Sequence, residues 1–182
     1  MSMIGSSTMV ILLLLSVLAC GQPQINTADE NDDGRLQLIE NLNEQRRLIR
    51  AAMESGSEAY DLVKEYASRV EEYARSIPGD TACPAYLLEA ADLVGGVGLH
   101  GRSIELWGLL WRQHSNHPEA PYALFMQAFV FETIIGDKLN AKRYYQKVTE
   151  QYPGHPLAQS ANQAINVLNQ RGEDLIRTFE ER

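Results

Sequence analysis

The segment 121–153 constrains the fold of this chain more than any other stretch. Its apolar residues recur at spacings of three and four on both sides of the pair Gly136-Asp137, which predicts two helices joined at that pair. The sequence shows no convincing strand alternation in any other segment. Because helices that follow one another through short loops become antiparallel neighbours, the segment predicts a helical hairpin as the repeating unit of the chain.

The same pattern returns along the sequence at intervals of 37 and 38 residues, since the segment 77–80 aligns with 114–117 and with 152–155. Small and large residues also coincide between the units, and such pairs let two helices approach while an aromatic ring fills the groove beside them. The coinciding positions are Pro84 with Pro121, Leu87 with Leu124, Ala91 with Ala128, and Ser103-x3-Trp107 with Ala141-x3-Tyr145.

Ala141, Tyr145 and Pro153 match the second half of the tetratricopeptide (TPR) pattern, so the repeat resembles TPR units. The chain departs from that pattern in its period, which exceeds the usual length of about 34 residues. It also has one extra residue in the first helix of the third unit, Ser115 where proline is expected, and Tyr66 at a small position of the first unit.

A longer resemblance covers residues 57–182, through the stretches APYALFMQAFVFE, GDKLNAKRYYQKV, QYPGHPLAQSA and GEDLIRTFEER. These look like small TPR lipoproteins of Bacteroidetes. Their repeats are similar to those of the outer-membrane assembly lipoprotein and of the Tol-Pal-associated TPR protein. The resemblance implies a fold and an envelope location, and it implies no activity.

We therefore expect an all-α fold, namely a TPR-like α-solenoid of three antiparallel helix pairs with a C-terminal capping helix. The predicted domain is 35–182, with helices beginning at Leu36, repeats at 45–80, 81–117 and 118–155, and a cap at 156–182. The cap region is expected to contain two helices, one ending at Leu168 and one starting at Gly172.

The N-terminus reads as a lipoprotein-type signal peptide at 1–19, because an apolar run of eleven residues, 9–19, is too short to span a bilayer. Leu18-Ala19-Cys20 resembles the bacterial lipobox, which implies cleavage before Cys20 and lipidation of its thiol. The first eight residues carry no Lys or Arg, unlike an ordinary signal peptide. The alternative is an apolar strand or helix with a buried cysteine.

Residues 20–34 are polar and acidic, and they predict a lipidated N-terminus followed by a flexible tether. By the enterobacterial sorting rule, Gly21 after the lipidated cysteine implies the outer membrane. The expected location is therefore the bacterial cell envelope, on the periplasmic face of the outer membrane, with membrane attachment through the lipid on Cys20.

The net charge of −8 and a pI near 5.0 argue against nucleic acid as a partner and against attraction to anionic lipid headgroups. Two cysteines and four scattered histidines, of which only His114 and His117 are close, predict no metal site and no cofactor. The glycine-rich stretch 95–98 follows a helix rather than a strand, so it predicts a helix end instead of a phosphate loop.

Cys83 is a lone thiol near a predicted helix start, and we expect it to be buried as a small apolar side chain. Two alternatives remain open from the sequence. One is a disulfide-linked dimer in an oxidising compartment. The other is an enzyme with its site near Cys83, although the sequence displays no catalytic motif, so the chain is expected not to be an enzyme.

A TPR array binds its partner on the face formed by the first helix of each repeat. Helical spacing places Tyr122, Phe129 and Glu132 on that face of the third unit, with Asp92 and Glu89 on the unit before. The alternative for Phe129 is a place in the core. The sequence thus predicts a membrane-anchored, non-enzymatic adaptor for a protein partner. The resemblance to TPR lipoproteins implies an outer-membrane assembly or maintenance complex as its context.

A second function remains open from the sequence. The chain could be a self-associating structural lipoprotein, a homo-oligomer whose last helix packs against another copy through Leu175, Ile176 and Phe179.

Overall fold

The computed structural model describes residues 27–180 of the 182-residue chain, apart from the side chains of 27–31, 171–176 and 178–180. This part of the chain contains seven α-helices, one turn of π-helix and no strand, which confirms the all-α prediction. None of its helices is both long enough and apolar enough to cross a bilayer. The helices are α1 (Thr27–Glu54), α2 (Tyr60–Ser76), α3 (Cys83–Gly96), α4 (His100–Gln113), α5 (Ala120–Val130), the π-helix (Phe131–Ile135), α6 (Lys138–Gln151) and α7 (Pro156–Glu180).

The first and last helices differ from their predicted extents. Helix α1 begins at Thr27, so residues 27–34, expected to be a flexible tether, are helical. This segment of the sequence is rich in acidic residues, and negative charge near a helix N-terminus favours the helix. Helix α7 runs unbroken through Gly172, where two helices were expected. A glycine inside a helix costs only about 1 kcal/mol, which neighbouring turns can offset.

The predicted signal peptide, lipidation at Cys20 and the start of the tether lie outside the described residues, in 1–26. The side chains of Leu175, Ile176 and Phe179 lie outside them as well. By its contacts the chain separates into two units, Met1–Gln37 and Leu38–Arg182. Within the described residues, the first unit contains the N-terminal part of α1.

Within the second unit, each helix from α2 onward packs against the next helix in the chain, up to α7. Leu42 and Ile49 bring the C-terminal part of α1 into the same apolar core as α2 and α3. A smaller core lies between the end of α5, α6 and α7, with Tyr145 and Leu168 among its members. The packing therefore follows the order of the sequence.

Three turns, 77–80, 114–117 and 152–155, share one set of backbone hydrogen bonds. The N–H of the first residue in each turn donates to the carbonyl four residues before it, at 3.0, 2.8 and 3.0 Å. The N–H of the fourth residue donates to the carbonyl of the first, at 3.1, 2.9 and 2.9 Å. The turns that align in sequence thus also agree in their hydrogen bonding.

The side chain of the fourth residue in each turn accepts a backbone hydrogen bond at the start of the helix that follows. Asp80 Oδ1 accepts the N–H of the residue two positions later at 2.9 Å. In the other two turns, Nδ1 of His117 and of His155 accepts the equivalent N–H at 3.2 and 3.3 Å. These acceptors satisfy N–H groups that the first turn of a helix leaves without a partner. Since imidazole replaces carboxylate, the position requires an acceptor rather than one residue type.

The π-helix absorbs the extra residue that the third unit carries in its first helix. Gly98 and Gly136 both adopt a left-handed conformation, with φ of 85° and 77°, and each precedes the next helix by two positions. Counted from the preceding turn, Gly136 comes one residue later than Gly98. A π-helix holds more residues per turn than an α-helix, so it fits one more residue into the same span.

Candidate functional site

The residues predicted to bind a partner lie on α3, α5 and the π-helix, but the structure gives them different surroundings. Glu89 and Asp92 are on α3, Tyr122 and Phe129 are on α5, and Glu132 is in the π-helix. The face formed by α3 and α5, together with the adjoining part of α1, is the candidate site.

Glu89 connects three helices and is not a free surface carboxylate. Its Oε2 accepts a hydrogen bond from the Tyr66 hydroxyl of α2 at 2.7 Å. Nε of Arg46 in α1 donates to Oε1 at 2.9 Å and also lies 2.7 Å from Oε2. Arg46 also donates to Asn43 Oδ1, which accepts the Tyr86 hydroxyl at 2.9 Å. Burial, followed by the hydrogen bond to Glu89, raises the pKa of Tyr66. Glu89 therefore stabilises the fold and can reach a partner only at its half-exposed edge.

A groove of about 170 Å³ lies between α1 and α3 beside this network. Ile49 lines it and is buried, while Met53 is 47% exposed. Arg46, Arg50 and Glu89 bring charge of both signs to its edge. Such a groove can take an apolar side chain while its edges pair with polar groups, which is the usual chemistry of peptide recognition.

Asp92 and Tyr122 are brought together where α3 approaches α5. Burial raises the pKa of Asp92, the Trp107 indole opposes that shift, and Glu119 adds to it. Burial also raises the pKa of Tyr122, and the negative charges of Asp92 and Glu119 raise it further. The structure thus joins two helices of the predicted face in a polar cluster that carries negative charge.

Phe129 is 42% exposed, so the alternative that places it in the core is wrong. Its neighbour Val130 is 5% exposed and faces the core instead. An exposed phenylalanine at the end of α5 is available to an apolar partner, and such side chains are common anchors in protein interfaces.

Glu132 is half-buried and turned toward α6, where it accepts the hydroxyl proton of Tyr145 at 3.0 Å. Burial and this carboxylate together raise the pKa of Tyr145. The role of Glu132 in the structure is therefore to hold the second helix of its own hairpin. The α-helical spacing used to place it does not apply inside a π-helix.

Cys83 is fully buried, as expected for a small apolar side chain. Burial raises its pKa to about 12, and Asp80 contributes to the shift. A thiol of this kind is neither a ready nucleophile nor accessible for a disulfide with another copy. Among residues 27–180, no group of three metal-ligating side chains comes together, and His117 uses its Nδ1 to cap α5.

A second cleft, which the sequence did not reveal, lies between the turns 114–117 and 152–155. It has a volume of about 550 Å³ and is lined by residues of both turns together with Pro121. The Tyr152 hydroxyl donates to the Ser115 carbonyl at 2.8 Å and ties the two turns together. The repeat of the turn is the signal that would have found it, because equivalent turns of successive units lie side by side.

The chain matches no protein-family model, and a search of curated proteins finds no significant relative.

Proposed function

We propose that this chain is a non-enzymatic adaptor of TPR type that binds a protein partner through the face formed by α1, α3 and α5. The arrangement would be a solenoid in which these helices are the first members of three pairs. Two observations support it: the helices from α2 to α7 pack in the order of the sequence, and equivalent turns recur at 37 and 38 residues.

The observation that carries the binding proposal is the exposure of Phe129 on α5, since the same helix carries Tyr122 beside Asp92 of α3. An aromatic anchor flanked by a phenol and carboxylates suits a peptide with one apolar side chain and polar or basic neighbours. In this proposal the groove between α1 and α3 takes a second apolar residue of the same partner.

The proposed location is the bacterial cell envelope, with attachment through a lipid on Cys20. A Cys20→Ala variant is expected to leave the membrane fraction, because an acyl anchor supplies binding free energy in proportion to its buried methylene groups. Fractionation of cells that express each form tests this part separately from partner binding, and a membrane-bound variant would contradict it.

The binding proposal is tested by crosslinking in cells, followed by purification of the full chain and identification of the attached proteins. Phe129→Asp is expected to remove at least one reproducible partner, because a charge replaces the exposed anchor. Tyr60→Asp is the matched control, since Tyr60 is 44% exposed on α2. Either the absence of any reproducible partner or equal partner recovery by the two variants would overturn the proposal.

A further inference from the structure

The turn between the π-helix and α6 presents the most exposed large apolar side chain of the described residues. Leu139 is 80% exposed, and Ile134 and Ile135 are 54% and 50% exposed. The three residues lie within the six-residue stretch 134–139, which contains Gly136. We refer to Ile134, Ile135 and Leu139, with Lys138 and Arg143, as the α5–α6 tip.

The helix that follows this apolar group carries positive charge. Helix α6 carries Lys138, Lys142, Arg143 and Lys147, and no acidic residue precedes Glu150 in it. Lys138 and Arg143 are exposed, and Arg143 lies one helical turn after Leu139, on the same side of the helix. The chain as a whole is acidic, with a net charge of −8, so this end of the hairpin differs in sign from the average.

The two acidic residues nearest the tip in the sequence, Glu132 and Asp137, are already engaged within the hairpin. Glu132 accepts the hydroxyl of Tyr145 at 3.0 Å. Asp137 accepts the backbone N–H of Asn140 at 3.0 Å and its side-chain amide at 2.7 Å, and these bonds lower the pKa of Asp137. Asp137 keeps its negative charge at the tip, but it is directed to the first turn of α6.

Exposed apolar side chains next to flexible cations suit the boundary between lipid headgroups and acyl chains. Isoleucine and leucine can enter the apolar layer while lysine and arginine extend back to the phosphates. The three apolar side chains are 50% to 80% exposed, and exposed cations lie beside them, so they can enter a lipid surface without a shaped pocket. The observations therefore favour a lipid surface over a protein.

We propose that the α5–α6 tip contacts an anionic lipid bilayer, with Ile134, Ile135 and Leu139 among the headgroups and Lys138 and Arg143 against the phosphates. This contact does not depend on the proposed adaptor function. It would add a second, reversible attachment to a membrane besides the lipid proposed at Cys20. The side chains of the tip would set the orientation of the hairpin toward that membrane.

Flotation of the full chain with vesicles tests the proposal. All proteins carry Cys20→Ser, so that no acyl chain can be added and the N-terminal residues contribute equally to every variant. Vesicles of phosphatidylcholine alone are compared with vesicles that also contain phosphatidylglycerol. The wild-type tip is expected to bind the anionic vesicles more tightly, and added salt is expected to weaken that preference.

Two sets of variants separate the charged from the apolar contribution. Lys138→Glu with Arg143→Glu is expected to weaken binding to anionic vesicles by at least about fivefold for each charge. Ile134→Ser with Leu139→Ser is expected to weaken it by about tenfold or more, because the inserted apolar surface is lost. Arg47→Glu with Lys64→Glu is the control for the charged variant, and Val167→Ser is the control for the apolar variant. All three positions are exposed and lie on other helices, so these proteins should bind as the unchanged tip does.

Equal binding to neutral and anionic vesicles, or equal binding by tip and control variants, would overturn the proposal. So would tip variants that lose a crosslinked protein while their vesicle binding is unchanged, because the tip would then be a protein interface. Thermal unfolding followed by circular dichroism checks that every variant is folded, as expected for exposed positions.

Discussion

Tyr66 shows how a single residue can both fill the core and serve a polar network. Its side chain is fully buried, yet its hydroxyl finds the carboxylate of Glu89 at 2.7 Å. A buried hydroxyl without a partner would cost about 1–3 kcal/mol. The bond therefore explains how the hydroxyl of a fully buried tyrosine is satisfied at this position.

Alkaline pH should expose the contribution of Tyr66 to stability. Its pKa in the folded chain is raised above the ordinary value of 10, so the folded state keeps a proton that the unfolded state releases. The stabilisation is thus present below about pH 10 and is lost as the pH rises above it. We expect Tyr66→Phe to lower the free energy of unfolding by about 1–3 kcal/mol at neutral pH. The variant should also lose less stability than the wild type between about pH 10 and 11, because the phenol is gone.

Urea unfolding at a series of pH values measures both effects. Tyr145→Phe should flatten the same part of the profile, since burial and Glu132 raise the pKa of Tyr145 in a similar way. If the profile of Tyr66→Phe fell as steeply as that of the wild type, the phenol could not be the group responsible.

Gly95 and Ser103 mark a close approach of α3 and α4. A Cβ added at Gly95 would lie 2.9 Å from Ser103 Oγ, and this hydroxyl is buried without a hydrogen-bond partner. The equivalent of Ser103 in the third unit is Ala141, which needs no partner. We expect Ser103→Ala to be neutral or stabilising, because it removes an unsatisfied polar group.

The two positions should be energetically coupled. Gly95→Ala gains up to about 1 kcal/mol of helix propensity, but the contact with Ser103 opposes that gain. In a Ser103→Ala background the gain should be realised, so a double-mutant cycle should give a favourable coupling of about 1 kcal/mol. Chemical unfolding of the four proteins measures it, and strictly additive changes would contradict the close approach.

At the scale of elements, the π-helix accounts for a difference in length between two otherwise equivalent hairpins. It lies between Val130, where α5 ends, and Gly136, where the chain turns. Its geometry is less favourable than that of an α-helix, and it persists because both flanking segments are held by their packing. The third unit therefore carries its extra residue without shifting the helix that follows.

Deletion of Thr133 tests this account, because Thr133 is exposed and lies within the π-helix. We expect the deletion to convert the turn to α-helix and to change stability by no more than about 1–2 kcal/mol. Deletion of Glu105, which is exposed in α4, is the control. It should cost more than about 4 kcal/mol, because Trp107 and Leu110 would be rotated out of the core. Similar losses for the two deletions, measured by thermal unfolding, would contradict the role given to the π-helix.

Much of the element order could be predicted from the sequence, because proline, glycine and capping residues act locally. The starts of α3 and α6 and the ends of α2 and of the π-helix follow such signals closely. The continuity of α7 could not be predicted, since a glycine at position 172 weakens a helix without ending it. Nor could the helical start of α1 at Thr27, because acidic composition suggested a tether while charge near a helix N-terminus is also stabilising.

The surroundings of the residues on the predicted binding face could likewise be derived from the sequence only in part. Helical spacing placed Tyr122 and Asp92 on one face, and in the structure the negative charge of Asp92 acts on the Tyr122 hydroxyl and raises its pKa. Helical spacing also placed Glu132 on this face, but its carboxylate accepts a hydrogen bond from Tyr145 instead. The residues of a π-helix are rotated relative to the positions expected for an α-helix. Glu89 is on the expected helix, but long-range partners on α1 and α2 engage it, and no local pattern reveals such partners.

At the scale of the whole molecule, Cys83 reports on how cooperatively the helices hold together. It lies at the start of α3, is fully buried, and belongs to the core that extends from α1 to α5. Its pKa near 12 also keeps the reactive thiolate scarce. Both properties mean that a thiol reagent reaches Cys83 only when the core opens.

We expect the labelling of Cys83 in a Cys20→Ser chain to be slower than in the unfolded chain by about 10⁴-fold, which corresponds to a stability of about 5 kcal/mol. The free energy derived from labelling at several urea concentrations should equal that of global unfolding measured by circular dichroism. Fast labelling in the absence of urea would mean that α2 and α3 separate locally, and the core would then not be a single cooperative unit.

The three turns share one set of hydrogen bonds, so they mark the positions at which whole repeat units could be inserted or removed. Each turn forms the same two backbone hydrogen bonds. The side chain of its fourth residue supplies an acceptor for the N–H two positions later. A copy of residues 118–155 placed after His155 would therefore begin and end on matching turns. Gene duplication or engineering could therefore add or remove whole repeat units at these turns. A junction inside a helix would instead disrupt the core on both sides.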